Sequence, residues 1–272
     1  MKKNILTLLL LGFLATFTLS CKNEFDKLRS SGDVKLLTKK SLEYYAKGDY
    51  AKAQSLFELI MPALKGQAAL EEISYKYAYT HYNLRSYTSA HFYFKTFANT
   101  FANSTFREDA EYMAAYSEYK QSPNFRLDQE SSNKAIDGFQ TFANNFPESK
   151  RVKECNKLID ELRGKMEKKA FNEGLLYYNI TEYQSAITVF DNLLKEYPDI
   201  VDVEQVRFLI LKSQYSLAEN SIYEKQLERF KLVVDKYKDF NDKFPKSRFK
   251  KDAEIYLKNT NLKIKDLSNV RY

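Results

Sequence analysis

Apolar residues recur at offsets of three and four along most of the chain, and one short pattern returns five times. Its clearest copy runs from Gly174 to Pro198. There Tyr183, Ala186, Phe190 and Leu193 share one helical face, and Pro198 stops the helix soon afterwards. Gly174 falls on the preceding helix, where a residue without a side chain lets another helix approach closely. The same face returns as Ala53, Phe57 and Ile60, as Tyr87, Ala90, Phe94 and Phe97, as Ala135, Phe139 and Phe142, and as Val233, Tyr237 and Phe240. Each copy reads as the second helix of a pair. In the first pair the two helices meet at a Gly48-Asp49 turn, and later pairs end near Pro147, Pro198 and Pro245. A last Lys-rich helix, Phe249 to Leu267, has no partner and reads as a cap.

Ser149 to Lys169 departs from this period. It holds no proline and sets Val152, Cys155, Ile159, Leu162 and Met166 along one seam. This predicts one long helix that runs into the first helix of the fourth pair and tolerates Gly164. A longer loop, Ser122 to Ser132, separates the helices of the third pair. Thr105-Phe-Arg-Glu108 and Ser221-Ile-Tyr-Glu224 are capping-box patterns and predict helix starts.

Composition agrees with an all-α chain: 272 residues contain 7 Gly, 5 Pro and 44% hydrophobic residues, without the turn dipeptides of β-hairpins. With 21 Tyr, 20 Phe and no Trp, aromatic packing falls to the smaller rings. The net charge of +7 is uneven, since residues 225–272 carry 14 Lys/Arg against 7 Asp/Glu. That basic region is a solvated face, a dock for an acidic partner, or a surface for anionic headgroups. Nucleic acid is not an expected partner, because no aromatic-basic motif accompanies the charge.

The N-terminus bears on the compartment. Lys2 and Lys3 precede an uncharged run from Ile5 to Leu19, which is shorter than the ~20 residues a spanning helix needs. Thr18-Leu19-Ser20-Cys21 resembles a bacterial lipobox, which implies a signal peptide over 1–20 and a covalent lipid on Cys21; an ordinary cleaved signal is the rival reading. Lys22 follows where Asp would favour retention in the inner membrane, so the implied address is the outer membrane. Residues 21–33 read as a lipidated tether, 34–148 as an N-terminal half with repeats one to three, and 149–272 as the long helix, repeats four and five and the cap. Cys155, the other cysteine, reads as a small core residue.

No catalytic constellation accompanies the repeats. His81 and His91 fall on different helices, and no HExxH, CxxC or phosphate-binding glycine loop occurs. The chain is therefore not expected to be an enzyme, to hold a metal or to need a cofactor beyond the lipid. Aligning the first helices of the pairs instead gives columns of rings. One column is Tyr45, Tyr82, Tyr119, Tyr178 and Tyr215; a second is Leu42, Tyr79, Tyr116, Leu175 and Lys212; a third is Thr38, Tyr75, Tyr112, Phe171 and Phe208. Positions i, i+4 and i+7 share a face. Two readings stand: the rings cement neighbouring helices, or they line a groove for a peptide. The groove candidates are Tyr45, Tyr75, Tyr79, Tyr82, Tyr112, Tyr116, Tyr119, Phe171 and Tyr178.

The small framework residues Ala53, Ala90, Ala135, Ala186 and Val233 are 37, 45, 51 and 47 residues apart. With an aromatic four residues after each, this resembles the tetratricopeptide repeat, expanded in the third and fifth units. The resemblance implies a right-handed α-solenoid of about five helix pairs with a C-terminal capping helix. Cys21, the five units, the long helix and the Phe-Pro-x-Ser phrase at 146–149 and 244–247 together resemble the BamD-like lipoproteins of outer-membrane β-barrel assembly. That family implies a scaffold facing the periplasm. Its N-terminal half would meet unfolded outer-membrane β-barrel proteins, and its C-terminal half would dock on a BamA-like insertase. The alternative is another periplasmic lipoprotein of this repeat class, serving envelope or division scaffolding.

Overall fold

The computed structural model describes residues 24–269, so the N-terminal apolar run and Cys21 lie outside the described residues. Among the described residues every regular element is helical. After a short helical stretch at 24–29 come α1 (Val34–Ala46), α2 (Tyr50–Ile60) with a 3₁₀ turn at Met61–Leu64, α3 (Ala69–Asn83) and α4 (Tyr87–Thr100). They are followed by α5 (Arg107–Gln121), α6 (Glu130–Asn145), α7 (Val152–Asn179) and α8 (Tyr183–Glu196). The chain continues with α9 (Val203–Glu219), α10 (Tyr223–Lys243) and α11 (Lys250–Asn269). The long helix is continuous over 28 residues, as the unbroken 149–169 seam predicts. No helix among the described residues is long and apolar enough to cross a membrane.

The helices form two compact units. The N-terminal unit holds the chain up to 123 together with 129–159, and the C-terminal unit holds 124–128 together with the chain from 160. The division therefore falls within α7, and the middle of the loop in the third pair belongs with the C-terminal unit.

The repeated face makes the core of each unit. Ala53, Ala90, Ala135, Ala186 and Val233 are completely buried, as are Phe57, Phe94, Phe139 and Phe190 one turn on. Burying each of these rings contributes about 1.5–3 kcal/mol, and the small residue before it leaves room for the neighbouring helix. Gly174 provides such room in the fourth pair: a Cβ there would sit 2.5 Å from Phe190 Cε1. Gly164, on the same helix, has nothing within 4 Å of that position. Cys155 is buried and unpaired, and burial pushes its thiol up to about 11, which leaves it a packing residue.

Three hairpins use one turn. Gly48, Arg85 and Thr181 all adopt positive φ (77°, 61° and 66°). The next N–H then reaches back to the helix it has left: Asp49 to Tyr44 O, Ser86 to His81 O and Glu182 to Tyr177 O, each at 2.9 Å. These bonds satisfy carbonyls that the helix end leaves open. Each turn also brings a tyrosine at the start of the second helix against one five residues earlier. The pairs are Tyr45–Tyr50, Tyr82–Tyr87 and Tyr178–Tyr183, with centroids 5.6, 5.5 and 5.4 Å apart.

The Phe-Pro-x-Ser phrase closes pairs three and five by a second device. The Ser149 hydroxyl donates to Glu108 Oε1 at 2.6 Å and accepts from the Arg151 N–H. Ser247 does the same with Glu204 and the Phe249 N–H. Each serine thus ties the end of a second helix to the first turn of its partner. Both capping-box patterns mark helix starts, at Arg107 and Tyr223, but the first box does not form, since Glu108 is engaged by a residue 41 positions away and α5 starts with no side-chain cap. The second fails for a similar reason. The Ser221 hydroxyl bonds Leu217 O and Arg229 Nη1, and α10 also starts without a side-chain cap.

Candidate peptide-binding face

In the N-terminal unit, α3 and α5 bring six of the nine ring candidates together. The centroid spacings run Tyr75–Tyr79 5.0 Å, Tyr79–Tyr82 6.5 Å, Tyr82–Tyr116 6.3 Å, Tyr116–Tyr112 5.6 Å and Tyr116–Tyr119 5.5 Å. Asp109, on the first turn of α5, is the polar centre of this ladder. Its Oδ2 accepts from the hydroxyls of Tyr75 and Tyr79, both at 2.5 Å, and its Oδ1 lies 2.6 Å from Arg151 Nη2. The Arg151 guanidinium in turn covers the Tyr112 ring at 4.4 Å. Two repeats and the start of α7 are thus joined through one carboxylate.

That geometry divides the candidates by role. Tyr75 and Tyr79 both donate their hydroxyls to Asp109, so neither phenol is free. Tyr112 is buried, between Arg151 and Tyr116. Tyr45 and Tyr82 are half-buried and clasp their own hairpins, and Lys76 Nζ sits 4.9 Å above the Tyr45 ring. Tyr116 and Tyr119 are half-buried and stacked with each other, between the buried rings and solvent. Tyr82 and Tyr116 are both half-buried, and their rings, 6.3 Å apart, join α3 to α5.

In the C-terminal unit the candidates pack inward. Phe171 lies 6.1 Å from Phe190 and joins Leu175 and Tyr178 against the core of α8 and α9. Tyr178 also carries Lys212 Nζ at 4.8 Å over its ring. The side of α7 left open is marked by Leu176, 57% exposed, and one turn on by Ile180, 54% exposed. Neither stands in an aligned ring column. Their signal in the sequence is a pair of apolar residues at i, i+4 displaced from the Phe171–Leu175–Tyr178 face.

The histidines are packing residues. The His81 ring stacks on Tyr93 with 4.6 Å between centroids and lies 3.0 Å from Gln54 Nε2, and burial lowers its pKa. His91 Nδ1 is 3.0 Å from the Ala114 carbonyl. Among the described residues no group of three or more His, Cys, Asp or Glu is placed to hold a metal ion.

Burial raises the phenol pKa of Tyr75, Tyr79 and Tyr112, with hydrogen bonds to Asp109 or Glu154 adding to it. It pushes Tyr45 and Tyr215 up to about 12. The fold therefore favours the neutral phenols. An unfolded tyrosine ionises near about pH 10, so above that the unfolded chain binds fewer protons than the folded one, and stability falls with pH. This contribution is intact below about pH 10 and is lost as pH rises through the folded values. Urea midpoints should hold between about pH 8 and 9.5 and drop steeply by about 11.5, with the phenolate absorbance of the buried rings appearing together with unfolding. A midpoint unchanged across that range contradicts the assignment.

A family model for YfiO, an outer membrane lipoprotein, matches residues 31–226. A search of curated proteins finds no significant match. Among solved structures, a tetratricopeptide repeat protein from Parabacteroides merdae aligns at 13% identity, over 84% of this chain and 79% of that one, with a TM-score of 0.34. A MamA protein aligns at 15% identity over 79% and 95%, with a TM-score of 0.31. A thermophilic tetratricopeptide protein of Thermus thermophilus aligns at 16% over 84% and 99%, also at 0.31. The family match takes in most of the chain, including the first four helix pairs and the start of the fifth, and the protein belongs to the YfiO family of outer membrane lipoproteins.

Proposed function

We propose that this protein is a lipid-anchored scaffold of outer-membrane β-barrel assembly, held through Cys21 and facing the periplasm. Its N-terminal unit binds extended segments of unfolded barrel proteins, and its C-terminal unit docks on a BamA-like insertase. The observation that carries this reading is the tyrosine ladder across α3 and α5 in a member of an outer membrane lipoprotein family. Barrel strands alternate apolar and polar residues. A row of half-exposed rings suits such segments because it takes one apolar side chain after another without demanding a fixed sequence. Each ring presents apolar area at small entropic cost. Tyr75 and Tyr79 hold the row in place through Asp109, and Tyr82 and Tyr116 offer contact area.

A tagged mature chain isolated from membranes in mild detergent should recover the insertase. Recovery of other envelope proteins without it would favour a scaffold of a different process and contradict this reading.

A further inference from the structure

The C-terminal unit carries an open cleft separate from the tyrosine ladder. The middle of the long third-pair loop lies against α7: Lys169 Nζ donates to the Leu127 carbonyl at 2.9 Å, and Lys168 Nζ sits 4.8 Å over the Phe125 ring. Between loop and helix is a cavity of about 550 Å³, lined among others by Phe125, Arg126, Lys169, Leu176 and Tyr177. Leu176, in the lining, is 57% exposed; Leu127, next to Arg126 in the loop, and Ile180, one turn past Leu176, are 60% and 54% exposed. Aliphatic groups gathered at a cavity differ from the singly scattered ones of an ordinary surface. The charge around them is net positive, with Arg126, Lys168 and Lys169 against Asp128 and Glu173.

We infer that this cleft is a docking site for one amphipathic α-helix of a partner protein, apolar on the buried side and acidic on its flanks. Shape and charge both favour that occupant. Leu176 and Ile180 lie one turn apart along the helix direction, and the loop residues Phe125 and Arg126 form the other wall, so the cleft follows the axis of α7. From Lys169 to Tyr177 the lining spans ~12 Å of helix, room for about two turns of a second helix. Two apolar residues spaced i, i+4 on the occupant would meet Leu176 and Ile180. Glutamates to either side would meet Arg126 and Lys168, which completes the helix-in-groove mode with complementary charge.

The test uses the mature chain and labelled helical peptides of about 18 residues. One peptide carries two Leu one turn apart with Glu flanks, a second replaces Glu with Lys, and a third replaces Leu with Ala. The Glu peptide should bind saturably and at least about tenfold more tightly than either control. Leu176→Asp and Arg126→Glu should each weaken it about tenfold. Both sites are exposed, so the thermal transition should stay in place. Tyr116→Ala, in the other unit, should leave this binding unchanged, which separates it from client binding. Equal affinity for the Glu and Lys peptides, or indifference to both substitutions, overturns the inference. Self-association of the chain alone that Leu176→Asp abolishes would assign the cleft to a second copy. Loss of binding to phosphatidylglycerol vesicles by the same variants, without peptide discrimination, would assign it to lipid.

Discussion

Gly174→Ala should destabilise the C-terminal unit by about 1–3 kcal/mol, although alanine is the better helix former by about 1 kcal/mol. The added Cβ would lie 2.5 Å from Phe190 Cε1 and 2.7 Å from two further atoms of a ring that is completely buried. Such contacts cannot relax by turning a flexible side chain, so α7 and α8 must move apart or the ring must leave its well. Gly164→Ala supplies the control on the same helix. Nothing lies within 4 Å of its Cβ position, so the substitution should stabilise by up to about 1 kcal/mol through propensity. Urea unfolding of the two variants should therefore show shifts of opposite sign. Equal shifts would mean that the close approach at Gly174 does not exist.

Asp109→Ala should cost the N-terminal unit about 2–4 kcal/mol. It removes one acceptor from three donors: the Tyr75 and Tyr79 hydroxyls and Arg151 Nη2. Hydrogen bonds to a charged group contribute about 1.5–3 kcal/mol each, and breaking a buried ion pair by deleting one partner costs about 3–5 kcal/mol. The side chains of Asp109 and Arg151 are 22% and 37% exposed, so water screens part of the loss and places the effect below the simple sum. The buried Nη1 of Arg151 already lacks a hydrogen-bond partner, which leaves the guanidinium little alternative satisfaction. Tyr79→Phe should cost less, about 1 kcal/mol, because Asp109 keeps two donors. A neutral Asp109→Ala would show that the carboxylate does not hold the ladder together.

The framework of this fold could be read from the chain because local physics alone constrains it. A small residue followed by an aromatic four positions later is a helix contact wherever it occurs, and all five small positions are completely buried. Gly174 was legible for the same reason, and so was α7, whose seam runs without a proline. Charge-bearing residues were less legible, because their partners are far away in sequence. Glu108 looks like the closing residue of a capping box until Ser149, 41 positions later, takes its carboxylate. Asp109 stands 30 and 34 positions from the tyrosines it organises, and no short pattern announces that. Aligning the tyrosines in columns does not reveal which hydroxyls are occupied, nor that Tyr82 of one column meets Tyr116 of the next. One clue was present: Tyr45/Tyr50, Tyr82/Tyr87 and Tyr178/Tyr183 repeat a five-residue spacing, and that spacing is the hairpin clasp. The C-terminal cleft combines a loop with a helix some 45 residues further on, a juxtaposition that only the folded chain displays.

The most direct measurement of the central claim is the affinity of the mature chain for a synthetic barrel strand with alternating aromatic residues, read by fluorescence anisotropy. Binding should be saturable, and Tyr116→Ala should weaken it about tenfold, in keeping with a tyrosine that carries more than ~1 kcal/mol at an interface. Replacing the peptide's aromatic residues with serine should have a similar effect, with the thermal transition of the variant close to that of the parent. An affinity indifferent to both changes would contradict a client-binding face. A Tyr116→Ala variant that loses as much stability as one with a core phenylalanine removed would make the ladder part of the core alone.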